Sequence, residues 1–247
     1  MAASWLSCLL FVASVGFSPV GAADGLVVCV DSDNPPFMHQ ADGRAAGLYP
    51  ALIAAALGAQ DQAVTIEARP WKRCIAEIDE GRSGIGGVYK NDERLKKYDF
   101  SDPIFVEKMA VYFNRARPLA FQSVADLAGK RIGVIRGWSY GDVFDQAVRD
   151  GRITVQDVKS DLQNFQKLAA GRLDAILAIE EAGAGHLKAG HFAGLERSPR
   201  YLFEYPTFLA FNKGARQGPL LLKFNQALDE MKRSGKFDRM VAAELSP

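Results

Sequence analysis

RIGVIRGWSYGDVF, residues 131–144, passes from an apolar, β-branched run through a turn bracketed by Gly137 and Gly141 into DVFDQAV, which reads as a helix from about residue 140. A buried strand that turns straight into a helix is the βα unit from which parallel sheets are built. The alternation continues downstream. A strand falls near 153, and Leu162, Phe165, Leu168 and Ala169 share one helical face that Gly171 closes. LDAILAI (173–179) is a buried-type strand, and the chain ends with a strand over 207–212 and a helix from Pro219 to about Ser234. Upstream, the strand Leu26 to Asp31 is stopped by the turn residues PPF at 35–37. A helix opens at Pro50 and closes at Gly58, AVTIEAR (63–69) is strand-like, and Trp71, Ile75 and Ile78 lie at helical spacing before Gly81.

Strands alternating with helices predict an α/β fold with mostly parallel sheets covered on both faces. Two such blocks flank the strand MAVYFN (109–114) with no flexible linker between them. They are expected to be two lobes, the first made of residues 24–112 and 206–247 and the second of 113–205, joined by extended crossovers near 112–117 and 203–208.

Composition narrows the function classes. The chain has 247 residues, 48% hydrophobic and 24% charged, enough for a substantial core. Thirty basic against 29 acidic residues give a net charge of +1 with no long run of one sign, so nucleic acid is not an expected partner. Residues 1–23 contain no charged side chain, and the apolar core Trp5 to Val15 leads to Gly16, Pro19 and a small-residue end. This reads as a secretory signal peptide cleaved near Ala22 or Ala23; the alternative, a membrane anchor, has an apolar run too short to span comfortably. The mature chain is then expected in an extracytoplasmic, oxidising space, as a monomer. Cys8 leaves with the leader, and Cys29 and Cys74 are either a disulfide or two buried thiols.

The turn itself carries chemistry. Gly137-Trp138-Ser139-Tyr140-Gly141 spells the G-x-S-x-G nucleophile elbow, and Asp174 and His186 follow in the order a hydrolase needs. No oxyanion segment of the HGGG type precedes it, and His186 and His191 lie well before the last strand and helix. The competing reading makes Ser139 a helix N-cap, where free N–H groups attract anions and no base is required. GIGGVYK has neither P-loop nor dinucleotide spacing, and no Cys/His cluster offers a metal site, so no cofactor is expected.

Five stretches together resemble a known family. NDERLKKYDFSDPIF (91–105), PPFMHQADGRAAGLYPALIAAALG (35–58), GKRIGVIRGWSYGDVF (129–144), GRLDAILAIEEA (171–182) and YPTFLAFNKG (205–214) are similar, in order, to the bacterial family 3 solute-binding proteins, which serve mostly polar amino acid uptake. The resemblance implies two α/β lobes of the periplasmic binding protein type around a ligand cleft, in the periplasm. It implies a small polar, carboxylate-bearing ligand and an ABC permease as partner, with a sensing role as the alternative.

Residue by residue, the resemblance makes Arg94 the grip on the ligand carboxylate; without it Arg94 is one more solvated charge in ERLKK. A guanidinium presents a rigid pair of donors to a planar carboxylate. Ser139 matches a hydroxyl that completes that grip from the second lobe. Trp71 matches an aromatic that stacks on the ligand, unless it is core, and Asp31 a polar reader of the side chain. Phe37 is expected as a wall of the cleft, and Asn91 and Trp138 complete the candidate ligand set. The chain also departs from the pattern. The acid that normally binds the ligand's amino group falls at Ile179, leaving Glu180 or Glu181 as substitutes; Asn91 stands where Thr is usual; and Asn34 replaces an aromatic. Because the same fold class hosts small dehydratases, Glu180 is alternatively a general acid.

Overall fold

The computed structural model describes residues 25–58, 64–188 and 192–245. The expected leader and His191 lie outside the described residues. The strands are β1 (Leu26–Asp31), β2 (Asp33–Asn34), β3 (Met38–Ala41), β4 (Arg44–Ala46), β5 (Val64–Arg69), β6 (Gly84–Tyr89), β7 (Tyr98–Phe100), β8 (Val106–Asn114), β9 (Arg131–Ile135), β10 (Thr154–Val158), β11 (Ala175–Ile179) and β12 (Leu195–Asn212). The helices are α1 (Leu48–Leu57), α2 (Trp71–Asp79), α3 (Asp92–Lys97), α4 (Asp142–Arg149), α5 (Asp161–Ala169), α6 (Glu180–Lys188), α7 (Gly218–Arg233) and α8 (Lys236–Leu245).

The two-lobed α/β architecture is visible in the strand pairing. β1 runs parallel to β5 and β6 in one lobe, and β9 runs parallel to β10 and β11 in the other. Two long antiparallel strands tie the lobes together. β8 pairs with β11 and with β12, while β12 pairs with β8 up to Pro206 and then with β6 from Thr207 onward. The strand expected at 207–212 is thus the last third of an 18-residue element that runs through both lobes.

Local departures from the sequence reading have identifiable causes. α1 begins two residues ahead of Pro50, because the Leu48 and Tyr49 N–H groups are satisfied by the carbonyls of Pro36 and Phe37. The final helical stretch is broken at Gly235, in the left-handed region at φ 68°, and α8 follows to pack on α1 and α7. The β2–β3–β4 meander, turning at Asp42-Gly43, was not expected at all.

Cys29 on β1 and Cys74 on α2 form a disulfide, with Cα atoms 5.4 Å apart. The bond fixes the helix that begins with Trp71 against the strand that ends at Asp31. The hydrolase constellation does not assemble. His186 packs on the rings of Phe165 and Phe192, and Asp174 pairs with Arg131.

Candidate functional site

The loops that leave β1, β6 and β9 meet between the lobes. At the end of β6, Asn91 caps α3 by accepting the Arg94 N–H at 2.8 Å, which turns the Arg94 side chain inward toward Tyr89, and Arg94 Nη1 donates to the Tyr89 carbonyl at 3.0 Å. From the other lobe, the loop after β9 delivers Trp138 and Ser139. Ser139 is not an N-cap: Gly141, at φ 82°, takes that position, because the turn runs two residues longer than expected before the helix begins. Asp145 in the first turn of α4 holds the loop instead, accepting from Ser139 Oγ at 2.5 Å and from the Tyr140 N–H at 2.9 Å.

Hydrogen bonds between the loops cross the cleft and hold it closed. Trp71 Nε1 donates to the Gly137 carbonyl (3.2 Å), Asn91 Nδ2 to Ser139 Oγ (3.1 Å), and Trp138 Nε1 to Asp31 Oδ2 (3.2 Å). The two indoles meet edge to face with centroids 6.4 Å apart. Trp71, Arg94, Trp138 and Ser139 line one interlobe cavity, with Asn34, Met38, Gly87, Tyr89 and Glu107. Gly87, at φ 73°, leaves room there: a Cβ would stand 2.7 Å from the Tyr49 ring.

Not every expected residue reaches this cavity. Asp31 and Asn91 touch it only through their bonds to Trp138 and Ser139. Phe37 lies in the core behind it, stacked on Tyr49 at 5.7 Å, so it is not a cleft wall. Glu180 turns away to accept the Tyr201 hydroxyl at 2.7 Å beside Arg197, which removes it both as an amino-group partner and as a general acid in this cavity.

Electrostatics sets the cavity apart. Arg94 is only 8% exposed and makes no ion pair among the described residues; burial pulls its pKa below the ordinary arginine value. Glu107, 1% exposed, accepts hydrogen bonds from the Tyr49 and Tyr89 hydroxyls, and burial pushes its carboxyl up to about 7. Burial likewise raises Asp31 to about 6, against the Trp138 hydrogen bond that lowers it. Both polar atoms of the buried Asn34 amide lack partners.

Glu107, Tyr89 and Asn34 were missed in the sequence reading. Glu107 carried a signal: it is a lone acid just ahead of the apolar run MAVYF, on the face shared by Met109 and Val111, both fully buried. Asn34 was noted only as replacing an aromatic, and Tyr89 carried no signal, being an ordinary polar residue at the end of a short strand.

The buried acids fix a pH dependence. The folded-state values of Asp31, Glu107 and Asp161 (also raised by burial, to about 7) lie above their unfolded ones. The folded chain therefore holds these protons more tightly, and the stability they contribute is present below about pH 4 and lost as pH rises through 6 to 7. Surface Asp157 and Asp174 run the other way, held low by hydrogen bonds from Arg136 and Arg131, so their contribution is lost as pH falls below the usual carboxylate range. Urea denaturation is expected to show higher stability at pH 5 than at pH 8, by at least about 2 kcal/mol. Equal stability at the two pH values would mean that these carboxyls are not buried as described.

An α/β molecule of two lobes, joined by two strands and closed over a cavity lined by an unpaired arginine, is a bilobal binding protein in architecture. The model of the bacterial extracellular solute-binding proteins, family 3, matches residues 26–243, and the chain belongs to that family. Among curated relatives, the L-cystine-binding protein TcyJ of Escherichia coli (strain K12) is 28% identical over 216 residues, 85% of this chain and 78% of that protein. The lysine/arginine/ornithine-binding periplasmic protein of the same organism is 29% identical over 162 residues, 63% of this chain and 61% of that protein. Among solved structures, an ancestral arginine-binding protein bound to arginine superposes with a TM-score of 0.72 at 27% identity, covering 89% of this chain and 97% of that one. A histidine kinase sensor domain similar to periplasmic binding proteins shares the fold, with a TM-score of 0.78 at 21% identity over 90% of this chain and 96% of that one. No helix among the described residues is long and apolar enough to cross a membrane.

Proposed function

We propose that this protein is a periplasmic amino acid-binding protein that captures its ligand by the carboxylate and delivers it to an ABC permease. The observation that carries this reading is Arg94, a buried guanidinium in an interlobe cavity with no ion pair among the described residues and with donors left over after its bond to the Tyr89 carbonyl. A buried charge without a partner is costly, and a ligand carboxylate offsets that cost with two parallel charge-assisted bonds. Ser139, brought from the other lobe, adds its hydroxyl to the same carboxylate by turning its one proton from Asp145 to the ligand, while Trp71 and Trp138 supply flat apolar walls. A ligand touching both lobes shifts an open–closed equilibrium toward the closed form.

The hinge falls where the chain changes lobes. β8 is bonded within the second lobe along its length, which supports a first passage just ahead of Val106 rather than at 112–117, and the register of β12 supports a second at Pro206–Thr207. The lobes are then roughly residues 25–105 with 207–245, and 106–206, as far as these are described. The relatives' names, L-cystine and lysine/arginine/ornithine, support an amino acid as ligand. Micromolar affinity requires about 8 kcal/mol, within reach of a few charge-assisted bonds at roughly 1.5–3 kcal/mol each plus stacking on the indoles.

A thermal-shift screen of the common amino acids, cystine, ornithine and small organic acids tests this. At least one α-amino acid is expected to raise the Tm by several degrees at 1 mM without being consumed. No shift across the panel, or turnover of a hit, overturns the assignment.

A further inference from the structure

Glu107 stands in the same cavity as Arg94 and has no cation of its own. Its carboxylate is held only by the hydroxyls of Tyr49 from α1 and Tyr89 from β6, with the Thr207 hydroxyl of β12 lying 3.0 Å from the Tyr49 oxygen. No Lys, Arg or His pairs with it among the described residues. Of the residues that line the cavity, Glu107 is the only acid and Arg94 the only base, and the two do not pair with each other. The position at which the sequence resemblance implies an amino-group acid is Ile179, an apolar residue 1% exposed. Neither neighbouring glutamate substitutes. Glu180 is bound to Tyr201, and Glu181 lines a separate groove with Pro35, Pro36 and His186.

We infer that Glu107 is the ammonium receptor of the site, so that the ligand is a zwitterion held with its carboxylate on Arg94 and its amino group on Glu107. This rests on the Arg94 reading above and adds the second half of the ligand. One buried basic and one buried acidic group, neither in an ion pair among the described residues, are both matched by a molecule that carries the two opposite charges. The two tyrosine bonds leave further lone pairs on the carboxylate for an N–H donor. Selectivity follows: a carboxylic acid without the amino group forgoes the bond to Glu107, and is expected to bind at least about tenfold more weakly.

Proton linkage gives a second readout. The titratable groups facing Glu107 are Tyr49 and Tyr89, Glu181 from α6, whose charge adds to its upward shift, and Arg94 across the cavity. Lys108, next in β8, points to the Tyr201 ring instead. With its carboxyl near 7 in the free protein, Glu107 is mostly protonated at pH 6, and an ammonium beside it favours the ionised form. Binding is therefore expected to release a proton at pH 6, and affinity to fall as pH drops below 7.

The experiment is calorimetry at pH 6 in two buffers of different ionisation enthalpy. The probes are L-arginine, L-glutamine and L-cystine, each beside its des-amino counterpart: 5-guanidinopentanoate, glutaramate and 3,3′-dithiodipropionate. At least one amino acid should bind with release of about half a proton or more, and its counterpart should bind at least about tenfold more weakly. Glu107→Gln should remove the proton release and most of that preference. A des-amino acid that binds as tightly as its amino acid, or a preference unchanged in Glu107→Gln, overturns the assignment of Glu107 and leaves the Arg94 reading standing. Failure of all six probes overturns both. Should Glu107→Gln not fold, the wild-type proton count decides, and a release of zero overturns the proposal.

Discussion

Replacing Arg94 with Met is expected to abolish ligand-induced stabilisation while leaving the free protein about as stable as before. Two charge-assisted bonds to a carboxylate are worth roughly 3 kcal/mol or more together, so affinity should fall more than about a hundredfold. In the free protein the side chain contributes little of that. It donates one hydrogen bond, to the Tyr89 carbonyl, and is otherwise a desolvated cation without an ion-pair partner. Met fills similar volume without the buried charge, and the lost bond, about 1 kcal/mol, is offset by removal of that desolvation cost. A structural arginine would behave oppositely. If the variant loses several kcal/mol of stability in urea yet still binds its amino acid with parent affinity, Arg94 is a brace and not a ligand contact.

The double variant Cys29→Ala/Cys74→Ala should lose about 4 kcal/mol, since the bond closes a loop with a sequence separation of 45. For a chain of this size that corresponds to a Tm lower by about 8–16 °C. The loss should also reach the site, because the bond sets the start of α2, with Trp71, against the end of β1, with Asp31. The cross-cleft bonds from Trp71 to Gly137 and from Trp138 to Asp31 both depend on that spacing. Weaker ligand binding is therefore expected beside the lower Tm. A Tm within 2 °C of the parent would show that packing of the buried α2–β1 contact carries the stability by itself.

The alternation of strands and helices was readable because both signals are local and periodic. β1, β5 and β9 fall within a residue of the stretches that announce them, and α5 ends before Gly171 for the reason its φ of 71° supplies. Weak local signals hid other elements. The Asp42-Gly43 turn joins strands of four and three residues, too short for an alternating pattern, although both turn residues adopt the positive φ that such a turn demands. β12 could not be read as one strand because its first half, LERSPRYLFEY, is partly exposed and carries a proline.

Of the cavity, the residues found from the sequence were those belonging to a recognisable motif: Arg94 in ERLKK, Ser139 and Trp138 in the glycine-flanked turn, and Trp71 at a helix start. Glu107 and Asn34 come together with them only through the pairing of β8 with β12 and the placement of β2, which are long-range facts. Phe37 was misassigned for a related reason. An aromatic beside a turn packs equally well toward a cleft or toward the core, and the Tyr49 ring behind it decides for the core.

The most direct measurement is a crystal structure of the protein grown with whichever amino acid gives the largest thermal shift. The ligand carboxylate is predicted to lie within 2.7–3.2 Å of both the Arg94 guanidinium and Ser139 Oγ, with the lobes held further apart by the ligand than they are here. A ligand bound outside this cavity, or one whose carboxylate touches neither group, would contradict the account.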